Sequence, residues 1–182
     1  MKVLWVCNIM LPAIAKKLGC AYRVREGWLS GILDRLLAFG DAEVELGICF
    51  PAKGEHAFLQ KRLALGGREV SCYGFSEDLE HPEWYDTSLE IWFEEILSDF
   101  QPELVHIFGT EFPHACACAK AWNRPERTLV GIQGLCSAIA RSYQADLPDA
   151  VFGGRTLRDV IRKDSMRQQQ EKFNAPQRPL RT

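Results

Sequence analysis

The run Val3–Cys7 is apolar at every position. An unbroken apolar run of this length is typical of a strand buried on both faces, as in a parallel sheet with helices on either side. A second such run, Leu104–Phe108, is interrupted only by His106 and stops at Gly109. Strands of this kind require helices to cover them, and this requirement constrains the fold more than any other feature. It predicts an α/β chain.

Three segments between the apolar runs have helical character. Glu26–Phe39 carries apolar residues at helical spacing and is followed by Gly40, a common helix stop. In the second, Thr87 and Glu90 have the spacing of a capping box before an amphipathic helix that Pro102 should end. Its predicted buried face consists of Leu89, Trp92, Phe93, Ile96, Leu97 and Phe100. The third is Phe112–Trp122, with Pro113 suited to its first turn.

The remaining segments complete a strand and helix alternation. Further strands are predicted at Glu43–Phe50, Arg68–Phe75 and Thr128–Ile132, whereas Asn8–Val24 and Pro51–Gly67 are expected to be loops. The alternation predicts a doubly wound, Rossmann-like, mainly parallel sheet with helices on both faces.

The last third is predicted to hold two helices. Ser137–Ala145 is short, and Leu147–Gly154 is expected to be a loop. Thr156 and Asp159 cap a final helix that runs through Met166.

A length of 182 residues corresponds to about one domain. We expect residues 1–173 to form it, and residues 174–182, with two prolines, to be a tail or the start of an interdomain linker.

Composition excludes several classes. A net charge of -2 gives no electrostatic footprint for nucleic acid, so no nucleic-acid partner is expected. An odd number of cysteines, seven, indicates reduced core thiols in a cytoplasmic protein. Cys116 and Cys118 should point to different helix faces, so no metal site is expected. No apolar run approaches the roughly 20 residues that cross a bilayer.

The segment Gly109–His114 presents a hydroxyl, a carboxylate and an imidazole directly after a predicted strand. Ligands of open parallel sheets bind beyond the carboxyl ends of the strands. We expect this segment to converge with Gln133–Gly134 and with the segment before Gly27, where a helix N-terminus suits an anion such as a diphosphate. Plainer interpretations are an ordinary strand with an N-cap, a packing glycine at position 27, and a solvent-facing His114. His106 is better interpreted as a core or strand-end residue.

No nucleophile elbow or Walker sequence is present. Carboxylates do recur at a spacing of eight, as in Glu69 with Glu77 and in the series Glu95, Glu103 and Glu111. None of these pairs shares a loop-helix setting, and we interpret the spacing as chance.

The chain resembles the N-terminal half of retaining glycosyltransferases of family 4, enzymes of GT-B architecture. The resemblance covers nearly the whole chain and rests on the order and spacing of several short motifs. These are Lys2–Asn8, Glu26–Leu29, Val105–His114, Ile132–Leu135 and Leu157–Asp159.

The resemblance implies two Rossmann-like domains that face each other across a cleft. The N-terminal domain holds a sugar or lipid-linked acceptor, and the C-terminal domain holds a nucleotide-sugar donor as substrate. No cofactor or metal is implied. The whole enzyme would be roughly twice this length, would act in polysaccharide or lipopolysaccharide assembly, and could associate peripherally with the inner face of the membrane. This stretch alone, without the donor domain, is expected to be inactive.

Carried over by position, Gly27 matches the glycine whose amides approach the donor diphosphate. Phe108 stands where many members have a second histidine near the donor sugar. Glu111 and His114 therefore remain as the catalytic candidates, for acceptor hydroxyl binding or proton handling. Their expected partners in substrate binding are Gly109, Thr110, Gln133 and Gly134.

Other interpretations stay open. A non-catalytic α/β binding module would favour an acid after the first strand, where Asn8 stands. A nicotinamide-dependent oxidoreductase lacks its glycine fingerprint. Lys16, Arg23 and Arg25 would suit an anionic acceptor or lipid phosphate, although solvated charge is the favoured explanation of all three.

Overall fold

The computed structural model describes residues 1–22, 27–39, 43–54, 57, 60–174 and 178–179. The strands are β1 (Lys2–Val6), β2 (Glu45–Pro51), β3 (Gln60–Leu65), β4 (Arg68–Phe75), β5 (Trp84–Tyr85), β6 (Leu104–Phe108), β7 (Thr128–Gly131) and β8 (Arg178–Pro179). The helices are α1 (Pro12–Leu18), α2 (Gly27–Phe39), α3 (Ser88–Phe100), α4 (Pro113–Trp122), α5 (Cys136–Arg141), α6 (Asp149–Phe152), α7 (Leu157–Arg162) and α8 (Met166–Asn174).

Six strands form one sheet in the order β3-β4-β2-β1-β6-β7. All neighbours are parallel except β3, which is antiparallel to β4. The small strands β5 and β8 pair separately. The prediction of a doubly wound, Rossmann-like, mainly parallel sheet is confirmed.

Each face of the sheet carries its own core because side chains alternate along a strand. Leu4 and Val6 of β1 pack with α3 and α4 on one face. Val3 and Trp5 pack with α1 and α2 on the other. Two-sided burial explains the unbroken apolar run at the N-terminus.

Strand order reverses at β1. The chain first builds β2 and β4 on one side of β1, and α3 then carries it back to place β6 and β7 on the other side. β1 and β6 are thus neighbours whose following connections leave in opposite directions. This opens a crevice at their carboxyl ends, the switch point at which doubly wound sheets bind ligands.

Helix α3 has the predicted buried face, and only Trp92 of that set is partly buried. The predicted capping box is wrong, because Thr87 makes no capping hydrogen bond. Asp86 Oδ1 accepts from the Ser88 amide at 2.8 Å instead. Glu90 Oε1 accepts from the Tyr85 hydroxyl at 2.5 Å and from Lys120 Nζ at 3.0 Å.

Two predicted loops contain secondary structure. Within Pro51–Gly67, β3 forms a hairpin with β4 through Gly66 and Gly67, both at positive φ. A two-residue glycine turn of this kind is a common hairpin connection. Within Asn8–Val24, α1 begins at Pro12 and buries Ile14. Arg23 and Arg25 lie outside the described residues.

The C-terminal helices are shorter than predicted. Thr156 and Asp159 do form the capping box of α7. The helix ends at Arg162, Lys163 follows in the left-handed conformation, and α8 begins separately at Met166. The expected single helix is therefore two, and the expected loop before it contains α6.

Candidate functional site

Asn8 and Glu111 meet at the switch point. Asn8 follows β1 and is almost fully buried, whereas Glu111 follows β6 and is partly exposed. Asn8 Nδ2 lies 3.4 Å from Glu111 Oε2 and donates to it. A carboxylate is thereby held at the edge of the crevice with one side open to solvent.

Gly109 makes this approach possible. Its φ is +90°, and a Cβ at this position would collide with the Glu111 carboxylate and the Asn8 amide. Its backbone N–H donates to the Gly131 carbonyl at 2.8 Å. Gly109 therefore provides room for the side chains at the site, while its own amide is already engaged.

His114 is buried completely, so the interpretation of a solvent-facing histidine is wrong. Its Nδ1 lies 2.5 Å from Glu77 Oε2, and its backbone N–H donates to Glu77 Oε1 at 2.9 Å. Its Nε2 lies 3.1 Å from Asn8 Oδ1. Because both ring nitrogens are engaged inside the protein, the ring orients Asn8 and does not face the crevice.

The loop after β7 also reaches the site. A Cβ at Gly134 would lie 3.8 Å from Glu111 Oε1. Gln133 is exposed and Thr110 is partly exposed, so both side chains are accessible to a ligand. The predicted convergence of these two loops is confirmed.

The N-terminus of α2 lies at the same edge of the sheet. The Trp28 ring is 5.9 Å from that of Phe108, the last residue of β6. Gly27 is exposed, and apart from its own helix backbone and its chain neighbours, no atom of the described residues lies within 4 Å of where its Cβ would be. The residues just before it, 23–26, lie outside the described part of the chain.

His106 packs against Phe108, with ring centroids 3.8 Å apart. It is partly buried, and burial lowers its pKa because the charged imidazolium loses hydration. His106 is the third of the five residues of β6, so it lies within the strand and not at its end.

A cleft of about 350 Å³ lies at the carboxyl ends of β1, β2 and β4. Its lining includes Ile9, Met10, Ala52, Lys53, Glu77 and Leu79. Glu77 lines this cleft and pairs with His114, so the chain Glu77–His114–Asn8 connects the cleft to Glu111.

Burial keeps several of the thiols in their neutral form. All seven cysteines are free, and burial raises the pKa of both Cys72 and Cys118 to about 12. Cys136 is close enough to Glu111 for the charge to matter. Its pKa is raised first by burial and then by that carboxylate. A neutral thiol is a poor nucleophile.

Within the described ranges, no group of three His, Cys, Asp or Glu side chains is arranged to hold a metal ion. Nor does any helix that these residues form combine the length and apolar character needed to span a bilayer.

Glu77 and Asn8 were missed as site residues. The spacing of Glu77 relative to Glu69 is indeed uninformative, but another signal was available. Glu77 follows β4 and Asn8 follows β1, each at the carboxyl end of a parallel strand, which is the criterion that identified Glu111.

Fold and site together define a Rossmann-like α/β domain with a carboxylate at its switch point. Comparison of the chain with protein-family models, curated proteins and solved structures found no match in any of the three.

Proposed function

We propose that this domain is the acceptor-binding half of a retaining glycosyltransferase, and that Glu111 binds a hydroxyl group of the acceptor. The observation that carries the proposal is the partly exposed Glu111 carboxylate at the β1/β6 switch point, oriented by Asn8. A carboxylate accepts hydrogen bonds from adjacent hydroxyls, which is the chemistry that a sugar offers.

Thr110 and Gln133 supply further accessible donors and acceptors next to Glu111. A few convergent polar groups of this kind orient a ligand in a site. A second domain, bound across the crevice, would bring the nucleotide-sugar, and the α2 N-terminus at Gly27 would face its diphosphate. The sugar would then pass to the acceptor hydroxyl, as part of polysaccharide or lipopolysaccharide assembly.

In this proposal His114 is a positioning residue. Its ring has no exposed surface, and both its nitrogens have partners. Its contribution would be to hold Asn8, and through Asn8 the Glu111 carboxylate, in place.

The test is a binding titration of the isotopically labelled domain with methyl glycosides and short oligosaccharides, followed by nuclear magnetic resonance. We expect amide shifts at Thr110, Glu111 and Gly134. Glu111→Gln should bind at least tenfold more weakly, because a hydrogen bond to a charged group contributes at least about 1.4 kcal/mol, which corresponds to a factor of ten in affinity. Glu95→Gln, an exposed carboxylate on α3, is the matched control. Equal binding by Glu111→Gln would contradict the proposal.

Transfer activity gives a second test. The domain alone, mixed with acceptor and nucleotide-sugar, is expected to transfer no sugar because it lacks the donor half. Measurable turnover would refute that part of the proposal.

A cytoplasmic location, with the whole enzyme at the inner face of the membrane, follows from a lipid-linked acceptor. Lys16 and Lys17 of α1 are exposed and would meet lipid phosphate. Co-sedimentation with vesicles containing anionic lipid should fall when both lysines are replaced by Gln, and unchanged co-sedimentation would remove this assignment.

The cleft beside Glu77 favours a second candidate, a non-catalytic small-molecule binding module. Its volume of about 350 Å³ is within the range of ligand pockets. This alternative predicts ligand-induced shifts at Ile9, Met10 and Leu79, and none at Glu111.

A further inference from the structure

Asn8 separates two ionisable side chains, His114 and Glu111. Its Oδ1 lies 3.1 Å from His114 Nε2, and its Nδ2 lies 3.4 Å from Glu111 Oε2. An amide has an acceptor at one end and a donor at the other. Its orientation therefore dictates which neighbour must donate and which must accept.

Glu77 determines whether the other ring nitrogen, Nδ1, acts as a hydrogen-bond donor. Its carboxylate is buried and accepts from the backbone N–H of His114, and when it is ionised it also accepts from His114 Nδ1. With Asn8 Oδ1 facing Nε2, both ring nitrogens donate, and only the imidazolium form has two donors. Glu111 is then an ionised acceptor for Asn8 Nδ2.

Rotating the Asn8 amide by half a turn gives a second, equally complete arrangement. Nδ2 then donates to the lone pair of a neutral His114, and Oδ1 accepts from a protonated Glu111. The two arrangements contain the same number of protons. The net change is one proton fewer on Nε2 and one more on the Glu111 carboxylate, while the amide itself stays neutral.

As long as Glu77 is ionised, one further proton distribution leaves a conflict. If Glu111 is ionised and His114 is neutral, Asn8 Oδ1 faces a lone pair in both amide orientations. The lone pair is that of Nε2 in one orientation and that of the Glu111 carboxylate in the other. Such a mismatch is costly where the groups cannot turn to water, and His114 is fully buried.

We propose that Asn8 couples the proton state of Glu111 to that of His114, so that Glu111 can present either a hydrogen-bond acceptor or a donor to a bound hydroxyl. The benefit to an acceptor sugar rests on the proposed function. The coupling itself depends only on the contacts of Glu77, His114, Asn8 and Glu111.

The surroundings add few competing charges. The rings of Phe75 and Phe112 pack on His114, with centroids 5.2 Å and 5.7 Å away. Cys136 of α5 faces Glu111, and Lys53 shares the cleft with Glu77.

The test reads ring protonation directly from the nitrogen-15 shifts of His114 in the labelled domain at about neutral pH. In the wild type we expect both ring nitrogens to be protonated. In Glu111→Lys the introduced ammonium can only donate, so it donates to Asn8 Oδ1 and leaves Asn8 Nδ2 to donate to Nε2. The ring should then become neutral, with its proton on Nδ1.

A double variant, Asn8→Asp with Glu111→Lys, restores an acceptor opposite Nε2 and should return the ring to imidazolium. Glu95→Lys should leave the His114 shifts unchanged. A ring that stays imidazolium in Glu111→Lys would overturn the coupling. Since no ligand is added, this outcome is independent of whether the domain binds sugars. Circular dichroism confirms that each variant is folded.

Discussion

Helices α3 and α7 carry similar apolar residues but use them differently. α3 buries five side chains against the sheet and α4, among them Phe93 and Phe100. α7 buries none, and its Leu157 and Ile161 are 78% and 74% exposed. The helix α3 is thus stabilised by burial against the sheet, whereas α7 depends on its capping box. Nearby, Gln170 Nε2 of α8 donates to the Ala140 carbonyl of α5 at 2.8 Å.

The largest expected difference between the two regions comes from removing one apolar side chain in each. Phe93→Ala should lower the free energy of unfolding by about 3–5 kcal/mol, because the side chain is fully buried. Ile161→Ala should change it by less than about 0.5 kcal/mol. Urea denaturation measures both, and comparable losses would erase the contrast between α3 and α7.

The next effect concerns the loop that joins β6 to α4 in the well-packed region. Gly109→Ala should destabilise by about 1–3 kcal/mol, since it forces a side chain into positive φ and against Glu111 and Asn8. Gly31→Ala, inside α2 and with open space around the new methyl group, should instead stabilise by about 0.5–1 kcal/mol. Thermal unfolding should shift in opposite directions for the two variants.

Helix caps provide a smaller test of how the C-terminal segment is held. Thr156→Ala removes a capping box and should destabilise α7 by about 1 kcal/mol. Thr87→Ala should have little effect, as that hydroxyl caps nothing. Amide hydrogen exchange should speed up about fivefold in α7 and stay unchanged in α3. Faster exchange in α3 of the Thr87 variant would show that its cap forms in solution.

The smallest effect is a pH dependence at His106. Burial lowers its pKa below the usual 6.5 in the folded state, so the unfolded chain binds more protons in that range. Stability should therefore fall as the pH drops from about 7.5 to about 5.5. His106→Gln should lose less stability over the same range in urea titrations, and an equal loss would assign the dependence to other groups.

The elements that the sequence predicted correctly are those whose apolar spacing reflects which side chains are buried. The apolar runs of β1 and β6 and the amphipathic face of α3 are read directly from hydrophobic spacing, because these residues pack against the sheet. Prediction from the sequence failed where a polar side chain has more than one possible hydrogen-bond partner. Thr87 and Glu90 have capping-box spacing, yet Glu90 bonds to Tyr85 and Lys120, which come from outside the motif.

The site was predicted in part for the same reason. Glu111 and Gly134 follow strands and could be placed at one edge by topology alone. Glu77 and Asn8 could be placed at that edge in the same way, but their contacts with His114 could not be predicted, since they are distant in sequence and no periodicity connects them to it. Only the strand order, with β1 between β2 and β6, shows that their loops meet.

The reversal of strand order at β1 also sets when the site can form. Asn8 and Glu111 are 103 residues apart in sequence, and contacts of such separation form slowly because a long loop has to close first. Strands β1, β2 and β4 and their helices can associate while β6 is still unpaired. A folding intermediate of this kind would contain half of the sheet and the cleft at the ends of β1, β2 and β4. The Glu111 carboxylate would not yet lie beside Asn8. The proposed ligand binding at Glu111 should therefore appear only in the last kinetic phase of refolding.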